Sequence, residues 1–205
     1  IVPLIGAIVM PYARRSVEAE IPASRIYLFY TMLLLCEAGL LGIAITGDAF
    51  NLFVFLEISS LSSYVLISFG KDRRALTAAY RYLITGTIGA TFYIIGVGLM
   101  YNVTGTLNIH DLSKLIPELA GSRTIQAALA FLTVGLGLKA ALFPMHMWLP
   151  NAYAYAPSVV TVFLAATATK VAVYALIRVI YSIFGTIDLL EIFTVRDMLV
   201  VLALL

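Results

Sequence analysis

The sequence predicts an all-α protein, a polytopic bundle of membrane-spanning helices in which one helix is discontinuous. Of its 205 residues, 62% are hydrophobic and 12% are charged, against roughly 45–50% and about 25% in soluble proteins. A soluble domain of this length has too little interior to hide so much apolar surface. The apolar runs are also longer than the ~9–11 alternating residues of a membrane β-strand.

Charge and cysteine content exclude several classes of function. The net charge is +2, and the thirteen Lys and Arg residues are spread over the loops, so we expect no nucleic-acid partner. The single cysteine, Cys36, lies inside an apolar run, which excludes an intramolecular disulfide and a cysteine-based metal site. Since His, Cys and carboxylate residues are not clustered at ligand spacing either, we expect no metal and no cofactor.

The two ends of the chain each carry an apolar run that is too short to cross a membrane. Residues 1–10 are apolar and start without a methionine, and the apolar run that begins at Met198 stops at residue 205. We therefore expect an internal piece of a longer protein. In this interpretation 1–25 holds the end of a preceding span and a basic cytoplasmic loop, and 182–205 holds a loop and the start of a truncated next span.

Five apolar segments, which together occupy 26–181, are close to the ~20 residues that cross a bilayer at 1.5 Å per residue. The short connection between the first two predicts a tight antiparallel hairpin. The long connection between the third and fourth contains the sequence Asn-Ile-His-Asp-Leu-Ser-Lys-Leu-Ile, which predicts a short helix at the membrane interface. In chain order the segments are span A (26–45), span B (49–69), span C (80–101), span D (125–144) and span E (157–181).

The basic residues predict the orientation of these spans. The loops before span A and between spans B and C hold seven Lys and Arg residues, whereas the loops on the opposite side hold four. Because cytoplasmic loops carry the excess of positive charge, this bias places the connection between spans B and C in the cytoplasm.

Ionisable residues occupy the middle of three spans: Glu57 in span B, Lys139 in span D and Lys170 in span E. A charge at that depth costs about 2.5–3.5 kcal/mol, so we interpret these residues as functional. Burial favours the neutral form of an amine, and a buried lysine beside a carboxylate can take up and release a proton. The alternative is a static ion pair. For Glu37, nearer the end of span A, snorkelling or local pairing is an equal alternative.

Hydroxyl-bearing residues surround the candidate residues. Ser60 and Tyr64 follow Glu57 at i+3 and i+7 on the same helical face, and Thr167 and Tyr174 flank Lys170 at i−3 and i+4. Small and hydroxyl residues also serve to pack membrane helices. Their number here predicts one polar seam, through which hydroxyls and trapped water could carry protons between the charged groups.

Span D is predicted to be broken just after its lysine. Pro144 removes a backbone hydrogen bond, and Pro150 follows it closely. Broken helices beside a charge are typical of transporters, because the freed carbonyls must line a cavity. His146 lies between the prolines and is a further candidate for the relay, since imidazole titrates near neutrality. The alternative is a packed histidine beside Trp148.

Four sequence blocks carry a resemblance to a known superfamily. They are GDAFNLFVFLE at 47–57, YNVTGTLN at 101–108, GLKAALFPMHMWLP at 137–150 and ATKVAVYALIR at 168–178. In this order and spacing they resemble the antiporter-like subunits shared by Mrp-type cation/proton antiporters, respiratory complex I and membrane-bound hydrogenases. The similarity covers about 27–181 and looks strongest toward the D-type subunit of the Mrp antiporters.

The resemblance implies that 26–181 is one five-helix repeat of a larger inverted-repeat transporter fold. Glu57, Lys139 and Lys170 match the proton-relay residues of the family, and His146 matches a histidine common after the helix break. The chain departs from the family at Asn151 and Tyr153, where many members have Asp and His.

The function implied is that of a proton-translocating subunit in a multisubunit Na⁺/H⁺ antiporter of the cell inner (plasma) membrane. Its partners would be other membrane subunits, protons, a monovalent cation and the lipid bilayer, with no chemical catalysis of its own. The first alternative is a proton-pumping subunit of a NADH:quinone oxidoreductase or a membrane-bound hydrogenase, in which case the chain belongs to a translocase. The second is a purely structural subunit with a static Glu–Lys pair.

Overall fold

A computed structural model describes residues 1–185, so the predicted start of a next span at Met198 lies outside the described residues. The described part folds into eight α-helices, the last of which is followed by a π-helical turn. The helices are α1 (Val2–Glu20), α2 (Ile26–Ile45), α3 (Ala49–Ser68), α4 (Arg74–Thr104), α5 (Ile109–Leu115), α6 (Arg123–Lys139), α7 (Leu149–Tyr155) and α8 (Ser158–Arg178).

The prediction of an all-α membrane bundle is confirmed. Among residues 1–185, four helical segments are long and apolar enough to cross a membrane, and they overlap the predicted spans A, B, C and E. Helix α2 has the bounds predicted for span A. Helix α4 is longer than span C, since its 31 residues extend over about 46 Å and exceed a hydrocarbon core of about 30 Å.

The hairpin between α2 and α3 is tied to the long connection that follows α4. Asp48 caps α3, with its Oδ1 accepting a hydrogen bond from the backbone N–H of Asn51 at 2.7 Å. The backbone N–H of Ala49 donates to Leu107 O, and that of Ile109 donates to Gly47 O, both at 2.9 Å. The predicted short helix is present as α5 and begins at this junction.

The N-terminal segment is helical beyond residue 10, where a loop was predicted. Helix α1 continues past the first apolar run as far as Glu20. Val9, Ala13 and Val17 are buried and recur every four residues, so one face of the helix stays in the core beyond residue 10. The basic residues that predicted a loop, Arg14 and Arg15, lie exposed on the other faces.

Glu20 joins the end of α1 to the start of α8. Its Oε2 accepts a hydrogen bond from the backbone N–H of Ser158 at 3.0 Å, and its Oε1 accepts one from Ser16 Oγ at 2.8 Å. A carboxylate is favourable there because the first N–H groups of a helix have no partner within the helix. Partial burial opposes ionisation, but these hydrogen bonds and the charge of Lys71 leave the pKa of Glu20 below its ordinary value.

We expect Glu20→Gln to lower the melting temperature of the detergent-purified full-length protein. Because the pKa of Glu20 is lower in the folded state, its carboxylate stabilises the fold above the ordinary pKa of about 4.3. That stabilisation is lost as the pH falls through the folded-state pKa, so the difference between variant and wild type should shrink in acid. The control is Glu18→Gln, which removes only the exposed pair with Arg14 and should change little. Equal effects of the two variants would contradict this role.

Span D departs from its predicted bounds. Helix α6 ends at Lys139, five residues before Pro144, and the regular helix resumes at α7. Pro144 has no N–H for the carbonyl of Ala140, and Ala141 adopts a left-handed conformation with φ of 56°. The prediction of a discontinuous helix is confirmed, and the break begins at the lysine itself.

Helices α4 and α6 pack closely through glycines. A Cβ added at Gly135 would lie 2.7 Å from Gly89 O and 2.7 Å from the backbone nitrogen of Tyr93. Small residues at a helix crossing let the two backbones approach, as is common in membrane bundles. The contact fixes α6, and therefore its C-terminal Lys139, against the core of the bundle.

Candidate functional site

The structure brings Glu57 and Lys139 together inside the bundle. Lys139 Nζ lies 3.2 Å from Glu57 Oε1 and donates a second hydrogen bond to Ser60 Oγ at 2.6 Å. Lys139 is 6% exposed, and the Glu57 side chain is 24% exposed. Glu57 and Ser60 are one turn apart on α3, so the i+3 spacing noted in the sequence places both beside the same ammonium group.

A small cavity with a partly polar lining borders the lysine. Its volume is about 20 Å³, and one water molecule needs about 10–15 Å³ by this measure together with two to four polar partners. The cavity therefore offers both room and hydrogen-bonding groups for one water beside Lys139. Its polar lining comes from Ser59, Ser60, Ser63, Tyr82 and Lys139, and its apolar lining from Leu40, Ile43, Leu56, Ala168 and Ala172.

Trp148 holds the broken segment against the site. Its indole Nε1 donates a hydrogen bond to Leu138 O at 3.1 Å, next to the lysine and just before the break. Its ring stacks on Tyr82 with centroids 3.8 Å apart and planes 2° from parallel. The sequence did not predict this role for Trp148 and Tyr82, because a contact between segments so far apart in the chain has no local signature.

Lys170 does not join the pair. It is exposed on α8, and its Nζ donates hydrogen bonds to Ala165 O and to Thr169 Oγ1. The cavity is faced instead by Ala168 and Ala172, two residues to either side of it. Two residues rotate the side chain by about 200° around a helix, so Lys170 projects away from Lys139.

The polar seam predicted from the sequence is therefore present on α3, but it does not extend to the polar residues of α8. Thr167 is buried, but its hydroxyl donates to Phe163 O in its own helix at 2.7 Å. Tyr174 is exposed, and its hydroxyl donates to Ala44 O at 3.3 Å.

His146 and Glu37 also lie apart from the Glu57–Lys139 pair. His146 is half-buried, its ring stacks on Phe143 with centroids 5.6 Å apart, and its Nδ1 has no hydrogen-bond partner in the described residues. Glu37 packs against α1, where a Cβ at Gly6 would overlap the Glu37 carboxylate. Within residues 1–185, no three His, Cys, Asp or Glu side chains are placed to hold a metal ion.

The fold and the site together define a class: a polytopic helical membrane protein with an ion pair buried among its spans. The chain belongs to the NADH:quinone oxidoreductase/Mrp antiporter membrane family, whose sequence pattern matches residues 46–203. The predicted superfamily resemblance is thus confirmed.

Two curated relatives represent the two branches of this family. The N-type subunit of NADH-quinone oxidoreductase from Desulforudis audaxviator is 50% identical over 89% of the chain. The D-type subunit of the Na(+)/H(+) antiporter from Bacillus subtilis is 36% identical over 88% of it. The chain spans 36% of the length of each relative. Because both branches match, the predicted preference for the D-type antiporter subunit stays a prediction.

Solved structures of related complexes agree with this assignment. The archaeal membrane-bound sulfane sulfur reductase, a respiratory membrane complex, matches with a TM-score of 0.83 and 34% identity over 89% of the chain and 37% of the matched subunit. The Mrp complex from Dietzia matches with a TM-score of 0.78 and 31% identity over 90% of the chain and 34% of the matched subunit. Both matched chains belong to membrane complexes.

Proposed function

We propose that this chain is the proton-translocating part of a membrane subunit in which Lys139 takes up and releases the proton. The observation that carries the proposal is the 3.2 Å ion pair between Lys139 and Glu57, placed at a helix break beside a cavity with room for one water. Such ionisable groups inside a membrane are costly and typically mark ion pathways.

In this mechanism Glu57 controls the protonation state of Lys139. The nearby carboxylate and the Ser60 hydroxyl stabilise the ammonium form. When the carboxylate moves away or is neutralised, the neutral amine is favoured in its low-dielectric surroundings. The proton of Lys139 then leaves through the adjacent hydroxyls and water.

Ser60 differs from the other serines of α3 in a way that suits a relay. Those other serines all donate their hydroxyl hydrogen to a backbone carbonyl of the same helix: Ser59, Ser62, Ser63 and Ser68. Ser60 makes no such bond in the described residues, so it can accept from Lys139 and still donate its own hydrogen. The nearby Tyr64 hydroxyl is buried and has no hydrogen-bond partner in the part of the chain that the structure describes, so it is available to accept that hydrogen.

We expect Ser60→Ala to slow proton transport about tenfold or more in the full-length complex, because it removes the hydroxyl next to Lys139 while leaving the Glu57 pair in place. Tyr64→Phe should slow it less, since water can substitute for the more distant hydroxyl. Transport would be measured in proteoliposomes with a pH-sensitive dye. The matched control is Ser62→Ala, whose hydroxyl bonds to Ile58 O. If Ser60→Ala and Ser62→Ala transport protons at equal rates, Ser60 is not part of the proton path.

The driving reaction has two candidates. Antiport of a monovalent cation, Na⁺ first, is supported by the antiporter relatives at 32–36% identity and by the likeness to the Mrp complex. Redox-driven pumping is supported by the 50% identical oxidoreductase relative and by the likeness to the sulfane sulfur reductase complex. In both cases the chain would work with other membrane subunits in the cell inner (plasma) membrane.

Lys170 is proposed as a later carrier in the same path. Its exposure on α8 leaves its ammonium group accessible to a segment beyond the described residues or to a partner subunit. His146 is proposed as an intermediate carrier, because it lies close after the break and its Nδ1 is buried without a hydrogen-bond partner among residues 1–185.

The purified complex that contains the full-length protein, reconstituted in proteoliposomes, tests the proposed function. An imposed Na⁺ gradient that drives proton movement without electron donors supports the antiporter. Proton movement that requires an electron donor and acceptor and ignores Na⁺ supports the redox-driven pump. Absence of proton movement under both conditions, from a complex that is intact by size-exclusion chromatography, would overturn proton translocation.

A further inference from the structure

A polar depression at the N-terminal end of α4 has the composition of an anion-binding site. Its volume is about 220 Å³, and two arginines border it together with three neutral hydrogen-bonding side chains. No carboxylate contributes to its lining, which is Arg74, Thr77, Ala78, Arg81, Asn151 and Tyr155.

The two arginines approach the depression from one side, and α7 closes it from the other. Arg74 and Arg81 are two turns apart on α4, about 10.5 Å along the axis, so they share a helical face. Asn151 and Tyr155 are one turn apart on α7. Arg74 Nη1 donates to the Tyr155 hydroxyl at 3.3 Å, and the guanidinium carbon lies 5.7 Å from the centre of the Tyr155 ring.

The lining of the depression carries two positive charges and no negative charge. Neither arginine forms an ion pair with a described residue, since the described ion pairs involve other residues. Asp72, just before α4, accepts a hydrogen bond from the backbone N–H of Arg74 at 2.8 Å. The guanidinium group bonds to the Tyr155 hydroxyl through Nη1 and does not bond to the Asp72 carboxylate. An arginine fork with open donors matches the oxygen atoms of a phosphate.

A larger groove at the same end of the bundle is a weaker candidate. Its volume is about 570 Å³, but two carboxylates line it together with three basic residues, so most of its charge is offset. One of those carboxylates, Glu20, also holds the start of α8. The charged lining consists of Glu20, Arg25, Lys71, Asp72 and Arg73.

An apolar stripe beside the arginines favours a lipid over a soluble anion. On α4, Ile84 and Ile88 follow Arg81 at i+3 and i+7, which places them on the helical face of Arg81, and each is 46% exposed. This stripe runs from Arg81 along the span, where acyl chains would contact it. The depression lies at the end predicted to be cytoplasmic, where anionic lipids are concentrated.

We propose that this depression binds the headgroup phosphate of an anionic phospholipid. Arg74 and Arg81 neutralise the phosphate, the Asn151 amide and the Tyr155 hydroxyl donate hydrogen bonds to its oxygens, and an acyl chain lies along the apolar stripe of α4. This site is separate from the Glu57–Lys139 pair and does not depend on the proposed transport function.

Native mass spectrometry of the detergent-purified full-length protein, incubated with phosphatidylglycerol or phosphatidylcholine, tests the site. The wild type should retain phosphatidylglycerol in preference to phosphatidylcholine. Arg81→Gln should lower that retention about fivefold, the effect of one basic residue on an anionic lipid. Asn151→Asp keeps the side-chain shape and places a negative charge in the depression, so it should lower retention at least as much.

The matched control is Arg15→Gln, which removes one exposed positive charge from α1, outside the depression. Retention should stay at the wild-type level in this variant. The proposal is overturned if all three variants lose retention equally, if neither Arg81→Gln nor Asn151→Asp changes it, or if the wild type does not distinguish the two lipids. Displacement of phosphatidylglycerol by millimolar inorganic phosphate would identify a site for soluble anions and would also overturn the proposal.

Discussion

Lys139→Arg should reduce proton transport by about 100-fold or more in the reconstituted complex. Arginine preserves a permanent positive charge that can still pair with Glu57, but it effectively never releases its proton in a protein. If the pair is a static structural bridge, arginine replaces lysine and transport continues. If Lys139 is a proton carrier, the arginine variant is inactive although the ion pair persists.

The control for Lys139→Arg addresses its larger side chain. The cavity beside Lys139 is about 20 Å³ and cannot hold a guanidinium group without some movement. Expression and size-exclusion behaviour must therefore match the wild type. Lys139→Met, similar in length and without charge, should be equally inactive in a relay. An assembled arginine variant with normal transport beside an inactive methionine variant would identify Lys139 as an electrostatic anchor.

Most of the span arrangement could be predicted because its signals are local. The short connection of Thr46, Gly47 and Asp48 ends α2 and caps α3, so both boundaries can be inferred from turn and capping residues. The N-terminal helix was harder to predict. Its charged residues after Met10 resemble a loop in hydropathy, whereas its buried face is visible only as a four-residue repeat.

The helix break could be predicted but not its position. Pro144 accounts for a break somewhere in span D, since it lacks the N–H that a helix needs. The helix ends five residues earlier, where Ala141 adopts a left-handed conformation and the Leu138 carbonyl bonds to the indole of Trp148, which stacks on Tyr82 of α4. Such contacts between distant segments have no local signature in the sequence.

The candidate site was also predicted only in part, because the sequence gives the depth of a residue more readily than the direction of its side chain. Depth along a span follows from residue counting, and this placed Glu57 and Lys139 at similar depth. The direction in which a side chain projects depends on which face of its helix is buried. The exposed residues of α8 share one face at helical spacing: Lys170, Val173, Tyr174 and Ile177. The periodicity of the sequence could therefore have predicted that Lys170 points outward. Residue counting alone therefore grouped Lys170 with a pair that it does not contact.

Glu57→Gln should nearly abolish proton transport in the reconstituted complex without preventing assembly. Glutamine has almost the same shape as glutamate and can still accept a hydrogen bond from Lys139, so the packing of α3 against α6 should persist. It carries no charge, and the attraction that stabilises the ammonium form of Lys139 is lost. The amine then remains neutral in its buried site and cannot load a proton from water.

The pH dependence of transport separates this role of Glu57 from a structural one. If Glu57 controls the loading of Lys139, the residual transport of Glu57→Gln should rise as the bulk proton concentration increases, because more protons can then force the amine into its charged form. Glu57→Asp keeps the charge at a longer distance and should retain partial transport with a smaller shift of its pH profile. A well-assembled Glu57→Gln complex with wild-type rate and pH profile would show that the carboxylate is not needed, and the proton path would then have to avoid the pair with Lys139.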